Sequence, residues 1–233
     1  MAGNTKNALL IASAWVLSAN IGAAGAATYT FYADAQGSIN ESDVGNGTSS
    51  GNSYLAGNCG TGCGQGEVRD FFQFDVTDLS GQVVSAELAI DVGNLELDQL
   101  DYLTYQVTSL PAVPLTSLTF AELGTGLVYG SRTYTQSDDR LKGVTISLDA
   151  AALSAIAAGG FFGVSGRVTS PTTFGPTAFS QYIFGEAVFP QQLIVTTDVP
   201  EASTWAMMAF GFAGLGLAAY RQQRNHRAAG AMI

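Results

Sequence analysis

Hydrophobic and polar residues alternate with a period of two along much of the middle of this chain. Val84, Ala86, Leu88, Ile90 and Val92 fall on one side, with Ser85, Glu87, Ala89 and Asp91 on the other. Just upstream, Phe72, Phe74 and Val76 alternate with Gln73 and Asp75. A period of two marks a strand whose two faces meet different surroundings. The intervening residues 77–82 (TDLSGQ) are turn formers. The pattern therefore predicts strands over 68–76 and 83–92, successive in one sheet with one wet face. Further strand-like runs occupy 28–32, 102–107, 144–148, 161–168 and 192–197. Many short strands with Gly-rich links predict an all-β fold, a β-sandwich.

One helix interrupts the pattern. Asp149 can cap residues 150–158, and Gly159-Gly160 stops them. Leu153, Ile156 and Ala157 would form its apolar stripe, laid across a sheet edge or an open end of the sandwich. Residues 36–66 are rich in Gly, Ser and Asn, with Ile39, Tyr54 and Leu55 as their few large apolar residues. They read as a long loop after the first strand.

The two ends read differently. Residues 8–17 form an apolar run behind Lys6, and Ala24-Gly25-Ala26 supplies small residues at a cleavage point. This predicts a secretory signal peptide over 1–26, addressed to the Sec translocon, with cleavage after Ala26 or Ala27. At the other end, Pro200 and Glu201 open a polar lead, residues 206–220 carry no charge, and Arg221, Arg224 and Arg227 follow. The apolar run, about 205–220, is slightly short of the ~20 residues that cross a bilayer comfortably. Trp205 and Tyr220 suit the two interfaces, and the basic tip at 221–227 suits the cytoplasmic side. The expected domains are thus 1–26, a β-sandwich ectodomain over 27–198, and a tail over 199–233 with one transmembrane helix.

The tail motif Val199-Pro200-Glu201-Ala202-Ser203-Thr204-Trp205, its Gly-rich apolar helix and its arginines resemble the PEP-CTERM sorting domain. Ala202 stands where that family carries a second proline. The resemblance implies export across the inner membrane of a Gram-negative bacterium and transient anchoring there. It further implies processing by an exosortase-type enzyme, then a place at the cell surface or in the matrix, in association with extracellular polysaccharide. Within the ectodomain, residues 68–76 (VRDFFQFDV) followed by Val83, Ala86 and Leu88 resemble DNRLRE-type modules of secreted proteins. That likeness implies a jelly-roll-like sandwich.

Charge narrows the function. The 233-residue chain is 12% charged with a net charge of −10. Residues 27–198 hold five cations against eighteen carboxylates, a net −13. A domain this acidic repels phosphate backbones, which argues against nucleic acid as a partner. The lone histidine, His226, lies in the tail, so a Ser/His/Asp or Cys/His arrangement has no place in the domain. Carboxylate pairs of the glycosidase kind remain open, because their spacing in space is invisible in sequence.

The only cysteines, Cys59 and Cys63, stand in a Gly-rich stretch with no histidine nearby. They read as a small-loop disulfide formed outside the cytoplasm, with free thiols as the alternative. Asp34, Asn40, Glu41 and Asp43 make one acidic cluster, and Asp91, Asn94, Glu96, Asp98 and Asp101 a second. Hard oxygen ligands at sandwich loops suit calcium, with Asp34, Glu41 and Asp43 as the candidate ligands; solvated acidic loops are the alternative. Tyr102, Tyr105, Tyr129, Tyr134 and Tyr182 are candidates for stacking on sugars, but sandwich cores also use Tyr, and the core is the leading expectation for them. The leading expectation is a non-enzymatic surface or matrix protein without an obligatory cofactor. A carbohydrate-binding module, with or without calcium, is the alternative, and a polysaccharide-active hydrolase a third.

Overall fold

A computed structural model of the chain describes residues 25–41, 53–60, 66–98, 100–111, 115–170, 179–185, 191–199, 206, 208–217 and 220. Among these, residues Gly25–Val199 form one compact unit and the ends divide from it as another. The unit is an all-β sandwich of two antiparallel sheets. Its strands are β1 Gly25–Tyr32, β2 Ala35–Asn40, β3 Tyr54–Cys59, β4 Val68–Asp75, β5 Gln82–Ile90 and β6 Asn94–Leu97, then β7 Tyr102–Ser109, β8 Val128–Thr135, β9 Val144–Ser147, β10 Phe161–Val168, β11 Ser180–Gly185 and β12 Gln192–Val199. The small sheet runs β1-β12-β5-β9 and the large one β6-β11-β3-β4-β10-β7-β8, with β2 attached to β4.

The two strands clearest in sequence, β4 and β5, belong to different sheets. The expectation that they are neighbours in one sheet is corrected. Their linker folds back too soon for a broad hairpin: buried Val76 donates its amide to Gly160 O at 2.8 Å, and Gly81 turns at φ +90. A Cβ at Gly81 would sit 2.9 Å from Asp198 O, so this crossing between sheets needs glycine. Both strands keep their apolar side inward. Phe72, Phe74, Leu88, Ile90, Leu193 and Val195 meet in the main core. Each such fully buried side chain contributes roughly 1.5–3 kcal/mol of transfer free energy. Val84 is the exception in its row, 48% exposed near the start of β5.

The large sheet must curl. β6 and β7 stand five places apart in its order, about 24 Å if it were flat. Yet only residues 98–101 join them, a span of at most about 17 Å. Curling brings β6 to the segment after β8, where Leu95 N donates to Asp139 Oδ1 at 2.8 Å.

A second, smaller core lies on the other face of the large sheet. Ile39 and Phe71 are covered there by Leu118 and Leu123. The covering segment, which begins with a 3-10 turn at Leu115–Ser117, is pinned by Arg69. Its guanidinium donates to Phe120 O at 3.3 Å and Leu123 O at 2.7 Å, lies 4.1 Å from the Phe120 ring centroid and pairs with Glu67 at 2.9 Å.

The helix α1, Ala150–Ala157, has the expected cap: Asp149 Oδ1 accepts from Ala152 N at 3.0 Å. Gly159 and Gly160 follow with positive φ. Its buried residues are Ala152 and Ile156, with Leu153 half-buried and Ala157 exposed, so the stripe is rotated from the one expected. The helix packs on β5 of one sheet and β8 of the other, as a plug for the sandwich rather than a free amphipathic helix.

Residues 36–66 are not one long loop. β2 and β3 lie within them, and the apolar residues Ile39 and Tyr54 are buried at 1% and 0% exposure. Small polar residues mask these strands in sequence, because their partners supply most of the apolar surface. Residues 42–52 and 61–65 lie outside the described residues.

Candidate functional site

The predicted sorting tail begins where the sandwich ends. Val199 closes β12, opposite Gly25 of β1. Pro200, Glu201, Ala202, Ser203, Thr204 and Trp205, with Arg221, Arg224 and Arg227, lie outside the described residues. Residues 206, 208–217 and 220 are helical and exposed throughout. Phe210, Phe212 and Leu215 are 73%, 69% and 70% exposed, so the helix carries large apolar side chains on its surface. Among the described residues, no helix is long and apolar enough to cross a membrane.

Cys59 is the last residue of β3, buried at 8% exposure, and its sulfur is not free. Asn58 Oδ1 accepts from Gly60 N at 2.9 Å, which turns the chain immediately after it. Cys63 lies outside the described residues.

The calcium candidates Asp34 and Glu41 are not brought together. They flank β2, whose six residues separate them by about 20 Å. Asp34 Oδ2 instead accepts from Asp75 N at 2.7 Å, and Glu41 Oε2 from Glu67 N at 3.4 Å. Asp43 lies outside the described residues. The second cluster divides as well. Asp91 Oδ1 accepts from Gly143 N at 2.6 Å, and Asp98 Oδ2 from Ser180 N at 3.1 Å. Glu96 stays close to Asp98, and burial with those neighbouring charges raises its carboxyl above the ordinary value. Asp139, which the sequence did not point to, joins this ledge through the curl of the large sheet. Among the described residues no group of three metal-ligating side chains is assembled to hold an ion.

The aromatic candidates are sorted by burial. Tyr105 and Tyr134 are fully buried and Tyr129 is 6% exposed, so these three belong to the core and are withdrawn as sugar platforms. Tyr102 is 43% exposed. Tyr182 is half-buried, its phenol accepting from Asn94 Nδ2 at 2.8 Å.

One ionisable group was missed. Asp70 is wholly buried on β4, inward in the same phase as Phe72 and Phe74. Tyr105 Oη donates to its Oδ1 at 2.7 Å, while Oδ2 has no partner among the described residues. Burial pushes its carboxyl from 3.8 up to about 7, against the opposing pull of the Tyr105 bond and of the backbone at Gly166. The same burial raises the phenols of Tyr105, Tyr54 and Tyr134. A near-neutral pKa in a cleft would suggest proton transfer. Here the group is sealed between sheets, so a substrate could not reach it without unfolding. The sequence signal was available: Asp70 occupies an inward position of a strict alternation.

Compared with known protein families and with curated proteins, the chain matches none.

Proposed function

We propose that this is an exported, non-enzymatic cell-surface or extracellular-matrix protein. Its signal peptide, residues 1–26, takes it through the Sec translocon. Residues 27–198 fold outside as a jelly-roll-like sandwich, and residues 199–233 hold it in the inner membrane until an exosortase-type enzyme removes the tail. The observation that supports this most is the pairing of Gly25 with Val199. Both ends of the sandwich leave it at one point, each at the border of a proposed targeting segment. Cleavage after Ala26 removes Gly25 and Ala26, the first two residues of β1, and leaves the buried core side chains in place. The exposed apolar helix after residue 205 supports the anchor, since such a surface is unfavourable in water. A Cys59–Cys63 disulfide fits the same oxidising compartment.

The test is the intact mass of the protein recovered from hosts with and without an exosortase. With the enzyme, the chain is expected to start at Ala27 or Thr28 and to lack Arg221, Arg224 and Arg227. Without it, or in Glu201→Ala, the tail should remain and the protein stay with the membrane. A tail retained in both hosts, or an uncleaved chain in the cytoplasm, overturns the reading. A carbohydrate-binding module is the second reading, supported by the exposure of Tyr102. Saturable polysaccharide binding that Tyr102→Ala abolishes would favour it.

A further inference from the structure

The two sheets have four terminal strands, besides β2, which is attached to β4 and is buried over Gln36, Gly37, Ile39 and Asn40, and three of the four ends are engaged. β8 and β9 face each other: Arg132 Nη1 donates to Thr145 O at 3.3 Å, and Asp149 N donates to Tyr129 O at 2.7 Å. Gly130 lets the two strands approach, since a Cβ there would lie 2.6 Å from Ser147 O. β6 is only four residues long and is capped at Leu95 by Asp139. The fourth end is β1. Among the described residues it pairs with β12 alone, over eight residues.

β1 lacks the features that normally blunt an edge. Its sequence, GAATYTFY, has no charge and no proline, and its later half is aromatic and β-branched. Thr28, Thr30 and Tyr32 are exposed on its outer side, while Tyr29 and Phe31 stack on the other with ring centroids 6.2 Å apart. The rest of the domain is strongly acidic, and most of its surface would repel a second copy. The β1 strand itself is uncharged, so two copies can meet along it with carboxylates only at its ends, Asp34 beyond Tyr32 and Asp198 opposite Ala26.

We propose that β1 is a self-association edge, on which a second copy of this chain adds its own β1 antiparallel about a two-fold axis. Two four-stranded sheets then become one continuous eight-stranded sheet. The pairing uses residues 27–32, all downstream of the proposed signal peptide, and does not depend on how the tail is processed. A strand pair of this length buries less than the ~1,200 Å² of a standard interface. The contact is therefore weak in dilute solution and strengthens when copies are held side by side on one surface.

The test is made on the full chain in mild detergent, with light scattering for mass and hydrogen exchange for location. Expected is a dimer that grows with protein concentration, with amide protection rising in residues 25–32 and unchanged in 161–168. Thr30→Lys puts a cation on each copy close to its symmetry mate and should weaken association at least tenfold while the melting temperature holds. Because the substitution could also loosen β1 from β12, Thr28→Lys is measured in parallel, opposite Thr196 rather than Ile194. A monomer at every concentration overturns the proposal. So does a dimer whose 25–32 exchange does not change and which both lysine variants leave intact, for that dimer would be made by the tail.

Discussion

Tyr105 and Asp70 are joined across a strand that lies between them. The phenol donates to Oδ1 at 2.7 Å, yet Asp70 is on β4, Tyr105 on β7, and β10 separates the two. Gly166 of β10 is paired with Asp70 on one side and Val107 on the other. Its missing side chain leaves the space in which phenol and carboxyl meet, and among the described residues no cation acts on the carboxyl there.

Asp70 makes the domain's stability depend on pH. Its carboxyl rises from 3.8 to about 7 on folding. Folding thus favours the protonated form: the contribution is complete below the unfolded value and is lost as pH climbs through the folded one. At alkaline pH the ionised group costs roughly 4 kcal/mol relative to the acid limit. Asp70→Asn keeps an acceptor for Tyr105 and cannot ionise. Thermal melts from about pH 4 to pH 9 should show the variant gaining on the wild type as pH rises. A difference that is constant with pH would refute the buried-carboxylate account.

Gly166→Ala should be strongly destabilising. The new Cβ would collide with Tyr105 Oη and Asp70 Oδ1, both held in the core. A loss of ~3 kcal/mol or more is expected from the denaturant midpoint. Tyr105→Phe in the same background should recover part of it, because the nearest clashing atom is removed.

Arg69 fastens the segment over the second core. Arg69→Ala removes two carbonyl contacts, the Glu67 pair and the stacking on Phe120. The expected cost is roughly 2–4 kcal/mol, with faster amide exchange across residues 115–125. Arg69→Lys should restore little, since an ammonium cannot reproduce the planar fork.

Asp149→Ala should cost about 1 kcal/mol by removing the acceptor for Ala152 N. Asp149→Asn, which retains an acceptor oxygen, should return most of that in equilibrium unfolding.

Sequence by itself determined what depends on neighbours along the chain. The alternation in β4, β5, β9 and β12 reports which side each strand buries. The Asp149 cap and the Gly159-Gly160 stop bound α1 within a residue of its observed ends, because a helix terminus is settled by local hydrogen bonding. The alternation held even Asp70, as an acid in an inward phase. The uncharged helix with its arginines is likewise a property of consecutive residues.

Tertiary structure alone decided the rest. β2 and β3 carry small polar residues and become strands because β4 and β11 pair with them. β4 and β5 separate into two sheets because the chain turns back at Val76 and Gly81. Asp34 and Glu41, seven apart in sequence, are held apart by the strand between them, while Asp139 reaches Leu95 across 44 positions. Which of the candidate tyrosines are buried is decided by packing: Tyr105 and Tyr134 are enclosed in the core while Tyr102 is left exposed. An edge such as β1 is open or covered only according to what lies beside it, and that is fixed by residues distant in the chain.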